Sequence, residues 1–284
     1  MKHIYKPSEL HALLQEHGIT AKKKFSQNFL IDFNILKKIV AIADVHETDI
    51  VIEIGSGPGA LTQILLESKA RVIAIELDPQ FARILGRLQK EDNSLEIIEA
   101  DVLKLPLDAL CREKAEKHKK IKVVANLPYH ITTPILTRLL PLHPWIESLT
   151  VMVQKEFAER MAAHVGTSAY SSFSLFLQFY SDVKLCFTIS PTCFYPPPKV
   201  YSAIVHCKLH EPPLPQKDIE SFFKITRTVF QQRRKMLRTS LKEIYPLEHI
   251  DAALEKMQVN LKVRPEELSL SQFLALFHFL SAAV

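Results

Sequence analysis

The sequence predicts an α/β protein: a doubly wound, mostly parallel Rossmann-like sheet followed by a small all-helical domain. Three observations predict it. From about residue 49, short apolar runs rich in Val and Ile alternate with segments of helical period. A glycine-rich turn joins the first such run to the first such helix. Finally, the proline-rich stretch EPPLPQ at residues 211–216 separates this alternating region from a remainder that reads only as helix.

The elements follow in order. An amphipathic start covers residues 8–17 and leads into a basic loop. Residues 50–54, 71–75, 95–99, 121–125 and 149–153 read as strands, and 60–68, 79–90 and 133–140 as the helices between them. Residues 182–189 and 201–209 are β-like with no helix between them, which suggests an antiparallel pair at one end of the sheet. Beyond residue 212, Phe222, Ile225, Val229, Phe230, Leu237 and Leu241 form an apolar stripe, and Arg264-Pro265-Glu266-Glu267 has the form of a helix start. Two domains are expected, 1–211 and 212–284.

Composition bounds the function. The chain has 284 residues, 47% of them hydrophobic, and no apolar run long enough to span a bilayer, so a soluble cytoplasmic protein without a membrane partner is expected. Cys111, Cys186, Cys193 and Cys207 lack paired spacing, and the 12 histidines form no ligand motif, so neither a disulfide scaffold nor a metal is expected. The net charge of +5 is unevenly placed. Seven basic and no acidic residues lie between 221 and 242 (Lys224, Arg227, Arg233, Arg234, Lys235, Arg238 and Lys242), and Lys22-Lys23-Lys24 form a second cluster. A solvated helix face normally mixes signs, so these clusters point to phosphate contact.

Gly55, Gly57 and Gly59 follow Glu53 at the end of the first strand. Such a turn lets backbone amides and a helix N-terminus approach a ligand. With Ala60 it satisfies a dinucleotide fingerprint, G-x-G-x-x-A, and equally the acidic-G-x-G-x-G pattern of methyl-donor sites. Glu76, closing the second strand, suits a ribose hydroxyl in either case. Asp101, after the third strand, suits an adenine amine.

Asn126-Leu127-Pro128-Tyr129 follows the fourth strand and favours methyl transfer. An exocyclic adenine amine is a poor nucleophile because its lone pair is delocalised into the ring. The Asn126 side-chain oxygen and the Leu127 carbonyl can accept its two hydrogens and free that lone pair. Pro128 offers no competing donor. Tyr129 offers a face for an unstacked base. A nicotinamide-dependent oxidoreductase has no use for this turn, and a purely RNA-binding assembly factor would not need it.

With KKKFSQNFL (22–30), VQKEFAERM (153–161), FYPPPKVYSAIV (194–205), QRRKMLRTSL (232–241) and RPEELS (264–269), the chain resembles the KsgA-type small-subunit ribosomal RNA adenine dimethyltransferases along nearly its whole length. The resemblance implies a class I methyltransferase sheet and S-adenosylmethionine as donor, bound by Asn28, Leu30, Gly55, Gly57, Glu76, Asp101 and Asn126. It implies dimethylation of two adjacent adenosines in a hairpin loop near the 3′ end of small-subunit RNA, the base held between Tyr129 and Phe194. It also implies that the basic C-terminal helices dock on the assembling 30S subunit; Lys22, Lys23, Lys24, Lys199, Arg233, Arg234 and Lys235 are the expected RNA contacts. A monomer is expected. The alternatives are a large-subunit RNA substrate and a non-catalytic ribosome-assembly factor, the latter open as a second role of the same chain. The chain departs from the family pattern at Ser26, Thr239 and Ser171-Ser172.

Overall fold

The structure, a computed structural model, describes residues 4–19, 28–115, 119–232 and 235–282. In chain order its elements are α1 (Pro7–Glu16), β1 (Phe29–Leu30), α2 (Phe33–Ile42), β2 (Ile50–Ile54), α3 (Ala60–Glu67), β3 (Arg71–Glu76), α4 (Pro79–Leu85), β4 (Leu95–Glu99), α5 (Leu107–Lys114), β5 (Ile121–Asn126), α6 (Thr132–Leu139), β6 (Ile146–Gln154), α7 (Lys155–Met161), α8 (Ser172–Tyr180), β7 (Ser181–Ile189), β8 (Phe194–Tyr195), β9 (Ser202–Leu209), α9 (Gln216–Gln231), α10 (Leu237–Leu241), α11 (Leu247–Lys256) and α12 (Leu270–Ser281). Among the described residues no helix is long and apolar enough to cross a membrane.

Seven strands form one sheet in the order β4-β3-β2-β5-β6-β9-β7. The first five are mutually parallel, and β9 runs antiparallel to both β6 and β7, as the missing helix between the last two strand-like runs predicts. The central strands are the continuous aliphatic runs: every residue of β2 is buried, because helices cover both faces of a parallel sheet. On the antiparallel edge strand β7, buried positions are interrupted by exposed ones.

From β2 the chain winds outward through β3 to β4, then returns to place β5 on the other side of β2. The carboxyl ends of β2 and β5 therefore flank the switch point, where an open α/β sheet leaves a crevice. Gly55 and Asn126 stand at those two ends. A Cβ added to Gly55 would lie 3.6 Å from the Asn126 carbonyl oxygen.

Helix starts are set locally. Asp32 accepts from the Asn34 and Ile35 amides to open α2, and Asp78 accepts from Gln80 ahead of Pro79 to open α4. Gly59 opens α3 at φ +90°, where a Cβ would stand 2.7 Å from Leu85 Cδ2. Helix α4 thus packs directly on the glycine turn.

The chain divides into two units, Met1–Ala158 with Ser181–His210, and Glu159–Tyr180 with Glu211–Val284. The helical unit takes in an internal segment that a single boundary at 211/212 leaves with the sheet. The reason is aromatic: Phe179 of α8 stacks on Phe222 of α9 at 5.2 Å between ring centroids, and Phe176 lies 5.0 Å from Phe223. In this unit Ser171, one of the family departures, exchanges hydrogen bonds with Ser174 at the start of α8, a local cap.

Candidate active site

A cavity of about 170 Å³ opens at the switch point. It gathers Asn28, Leu30, Gly55, Gly57, Glu76, Asp101, Asn126, Leu127, Pro128 and Tyr129 in one lining. Five segments distant in sequence converge because each, apart from the short β1 region, leaves a parallel strand at its carboxyl end.

The glycine turn forms one wall. Gly55, Gly57 and Gly59 all have positive φ, a conformation that only glycine adopts without strain. The Gly57 amide donates to Glu76 Oε2 at 2.7 Å, and the Asp78 amide donates to Glu76 Oε1 at 2.8 Å. A Cβ on Gly57 would meet the Phe29 ring at 3.2 Å. That ring stands edge-on to Phe81 of α4, with centroids 5.3 Å apart. The turn is therefore packed tightly from the side of β1 and α4.

Two acids sit beneath it. Glu53 is 2% exposed and accepts the Thr62 hydroxyl hydrogen bond at 2.5 Å. Burial, with Glu76 nearby adding to it, pushes its carboxyl up to about 7. Burial also raises Glu76, against the stabilising backbone amides it accepts from. Two buried carboxylates facing one cavity favour a cationic occupant. The apolar remainder, including Ile75, Phe81, Val102 and Ile135, suits a flat heterocycle and methylene groups. These residues fit S-adenosylmethionine, whose sulfonium and ammonium are cationic and whose ribose diol offers donors of the kind a carboxylate such as Glu76 accepts.

The opposite wall is the turn after β5. The Leu127 amide donates to the Met152 carbonyl at 3.1 Å, and the Asn126 side-chain nitrogen donates to the Asn28 carbonyl at 3.3 Å. That second bond assigns the side-chain oxygen the opposite direction, leaving it to accept. The Thr132 hydroxyl bonds the Pro128 carbonyl at 3.2 Å. Tyr129 is half-buried, its hydroxyl 2.7 Å from Ser202 Oγ, and burial raises its pKa. Asp101 accepts the Leu103 amide at 2.9 Å and still lines the cavity.

Phe194 does not join the lining. It is 3% exposed, held in the core because β8 pairs with β1 and places Phe194 opposite Leu30. Phe194 thus pairs with a residue of the cavity lining, Leu30, and is itself buried. Ser202, which pins Tyr129, carries no sequence signal of its own, although the motif at 194–205 contains it.

The basic residues sort differently. Lys22, Lys23, Lys24, Arg233 and Arg234 lie outside the described residues. Lys199 and Lys235 are exposed, as are Lys224, Arg227 and Lys242. Arg238, counted within the basic run, is paired with Asp251 at 2.7 Å, so an internal contact competes with any phosphate there.

The sequence matches the model of the family described as ribosomal RNA adenine dimethylase over residues 18–282. The chain belongs to the ribosomal RNA adenine dimethylase family. It is 52% identical over 275 residues to the ribosomal RNA small subunit methyltransferase A of Protochlamydia amoebophila (strain UWE25), covering 97% of this chain and 96% of that protein. The Chlamydia muridarum protein of the same name is 46% identical over 275 residues, with 96% of each covered. Among solved structures, a dimethyladenosine transferase from Plasmodium falciparum superposes with a TM-score of 0.73 at 28% identity, covering 87% of this chain and 95% of the other. The 23S rRNA methyltransferase ErmE superposes with a TM-score of 0.70 at 26% identity, covering 89% and 100%. The fold is thus the Rossmann-like methyltransferase fold expected from the sequence, with C-terminal helices.

Proposed function

We propose that this protein transfers methyl groups from S-adenosylmethionine to the N6 amine of adenosine in small-subunit ribosomal RNA, two per base, on two adjacent adenosines of a hairpin loop near the 3′ end. The observation that carries this reading is the convergence of Glu76, Asp101 and the glycine turn with Asn126-Leu127-Pro128-Tyr129 around one cavity. Glu76 accepts from the donor ribose, Asp101 from its adenine amine, and the Glu53 and Glu76 carboxylates favour its positive charge.

The bound donor supplies an electrophilic methyl group on sulfur. The chain supplies orientation. An adenosine drawn out of its stack rests on the Tyr129 ring, held in place by Ser202. The Asn126 oxygen and the Leu127 carbonyl accept the two amine hydrogens, which localises the nitrogen lone pair toward the donor. The product amine is cationic and loses its proton to water without a dedicated base. The protein acts as a monomer in the cytoplasm and docks on the assembling subunit, Lys199, Lys235 and the basic segments at 22–24 and 233–234 contacting phosphates.

Large-subunit RNA is the second reading, favoured by the likeness to ErmE. Sequence likeness supports the first: the relatives at 46% and 52% identity are small-subunit enzymes by name. Undermethylated small and large subunits incubated with labelled donor separate the two. Labelled N6,N6-dimethyladenosine confined to small-subunit RNA is expected; label only in large-subunit RNA, or none, overturns the proposal.

A further inference from the structure

Helix α6 begins directly after the acceptor turn, its Thr132 hydroxyl bonded to the Pro128 carbonyl at 3.2 Å. Six residues on, about 9 Å along the helix axis, Arg138 reaches across to the neighbouring loop. Its guanidinium donates to the Val102 carbonyl at 2.5 Å and to the Leu105 carbonyl at 2.6 Å. That loop carries Asp101 and is otherwise closed on itself: the Leu103 amide bonds the Asp101 carboxylate, and the Lys104 and Leu105 amides bond the Asp101 carbonyl. Val102 itself lines the cavity. One planar, permanently charged fork thus serves two backbone acceptors of a single loop, a geometry that an ammonium cannot reproduce.

We infer that Arg138 is a positioning residue that ties the donor-side loop of Asp101 to the acceptor-side turn of Asn126 to Tyr129, a role that rests on the reading of this cavity as the donor site. Arg138 touches neither ligand; it fixes where the Asp101 carboxylate stands relative to Asn126, and it couples the two walls through α6. Movement of the donor loop is then felt at Pro128, and the reverse.

The test compares the full-length chain with Arg138→Met and Arg138→Lys. Binding of S-adenosylhomocysteine is read by calorimetry, amide hydrogen exchange by residue, and the RNA KM in the same proteins. Arg138→Met is expected to weaken S-adenosylhomocysteine binding about tenfold, to speed exchange at the Leu103, Lys104 and Leu105 amides, to raise the RNA KM through the acceptor turn, and to leave exchange in β5 unchanged. Arg138→Lys, which keeps charge and stem and folds most securely, recovers part of the affinity. Unaltered binding in both variants overturns the inference, as does a uniform rise in exchange throughout the sheet without rescue by lysine. A wild-type chain that binds no S-adenosylhomocysteine overturns the donor reading itself, a result distinct from wild-type binding with unaffected variants.

Discussion

The Gly57 amide donates to Glu76 Oε2 at 2.7 Å, joining the glycine turn after β2 to the end of β3. The carboxylate therefore has two tasks: it fixes the turn through Gly57 and Asp78, and its remaining lone pairs face the cavity. Glu76→Gln keeps the shape but replaces one acceptor oxygen by a donor, which meets an amide hydrogen head-on. We expect S-adenosylhomocysteine affinity to fall at least about tenfold, equivalent to about 1.4 kcal/mol. Calorimetry checks this, and binding within twofold of wild type would remove Glu76 from the donor site.

Asn126 stands on the other wall, and in the proposed reaction its contribution arises mainly as the amine lone pair is released. Asn126→Ala is expected to leave S-adenosylhomocysteine binding within a few-fold while lowering kcat by about two to three orders of magnitude. Single-turnover kinetics on undermethylated small subunits measures both. An equal loss in binding and turnover would mean that the residue only shapes the pocket through its bond to the Asn28 carbonyl.

Much of this site is legible in the sequence. The strand period locates β2 to β5, and the turn residues at the ends of those strands name most of the polar lining, because parallel strands all deliver their carboxyl ends to one side. Pairing across long separations is what the sequence does not display. The β1 to β8 pair buries Phe194, an aromatic that the family resemblance sets against the target base. Arg238 reads as one of a basic run yet is bonded to Asp251 of α11. The segment at 159–180 has sheet-domain neighbours in sequence, while its rings pack on α9. Each of these is decided by tertiary partners, which local periodicity does not encode.

Gly59 tests the rigidity of the turn. At φ +90° with Leu85 and Leu88 methyls 2.7 and 3.0 Å from a built Cβ, Gly59→Ala combines backbone strain with a clash against α4. We expect a loss of about 2 kcal/mol and weaker donor binding, read as a lower thermal midpoint and a raised Kd. Leu85→Ala in the same chain should recover part of the binding by making room while adding a cavity cost of its own. A Gly59→Ala protein as stable as wild type would show that the turn relaxes freely.

The last prediction concerns pH. Burial raises Glu53 from 4.5 to about 7, so the folded state holds its proton more tightly than the unfolded chain does. The resulting stabilisation is fully present below about pH 4.5 and is lost as pH rises through about 7, up to about 3 kcal/mol across the window. Glu53→Gln keeps an acceptor for Thr62 and removes the titration. Its unfolding free energy should be flatter than wild type between pH 5 and 7.5, read by urea denaturation at fixed salt. Donor affinity runs the opposite way, because a cationic occupant favours the ionised carboxylate. S-adenosylmethionine binding should tighten about tenfold from pH 5.5 to 7.5 in the wild type and stay level in Glu53→Gln. Parallel pH profiles for the two proteins would place the titration elsewhere.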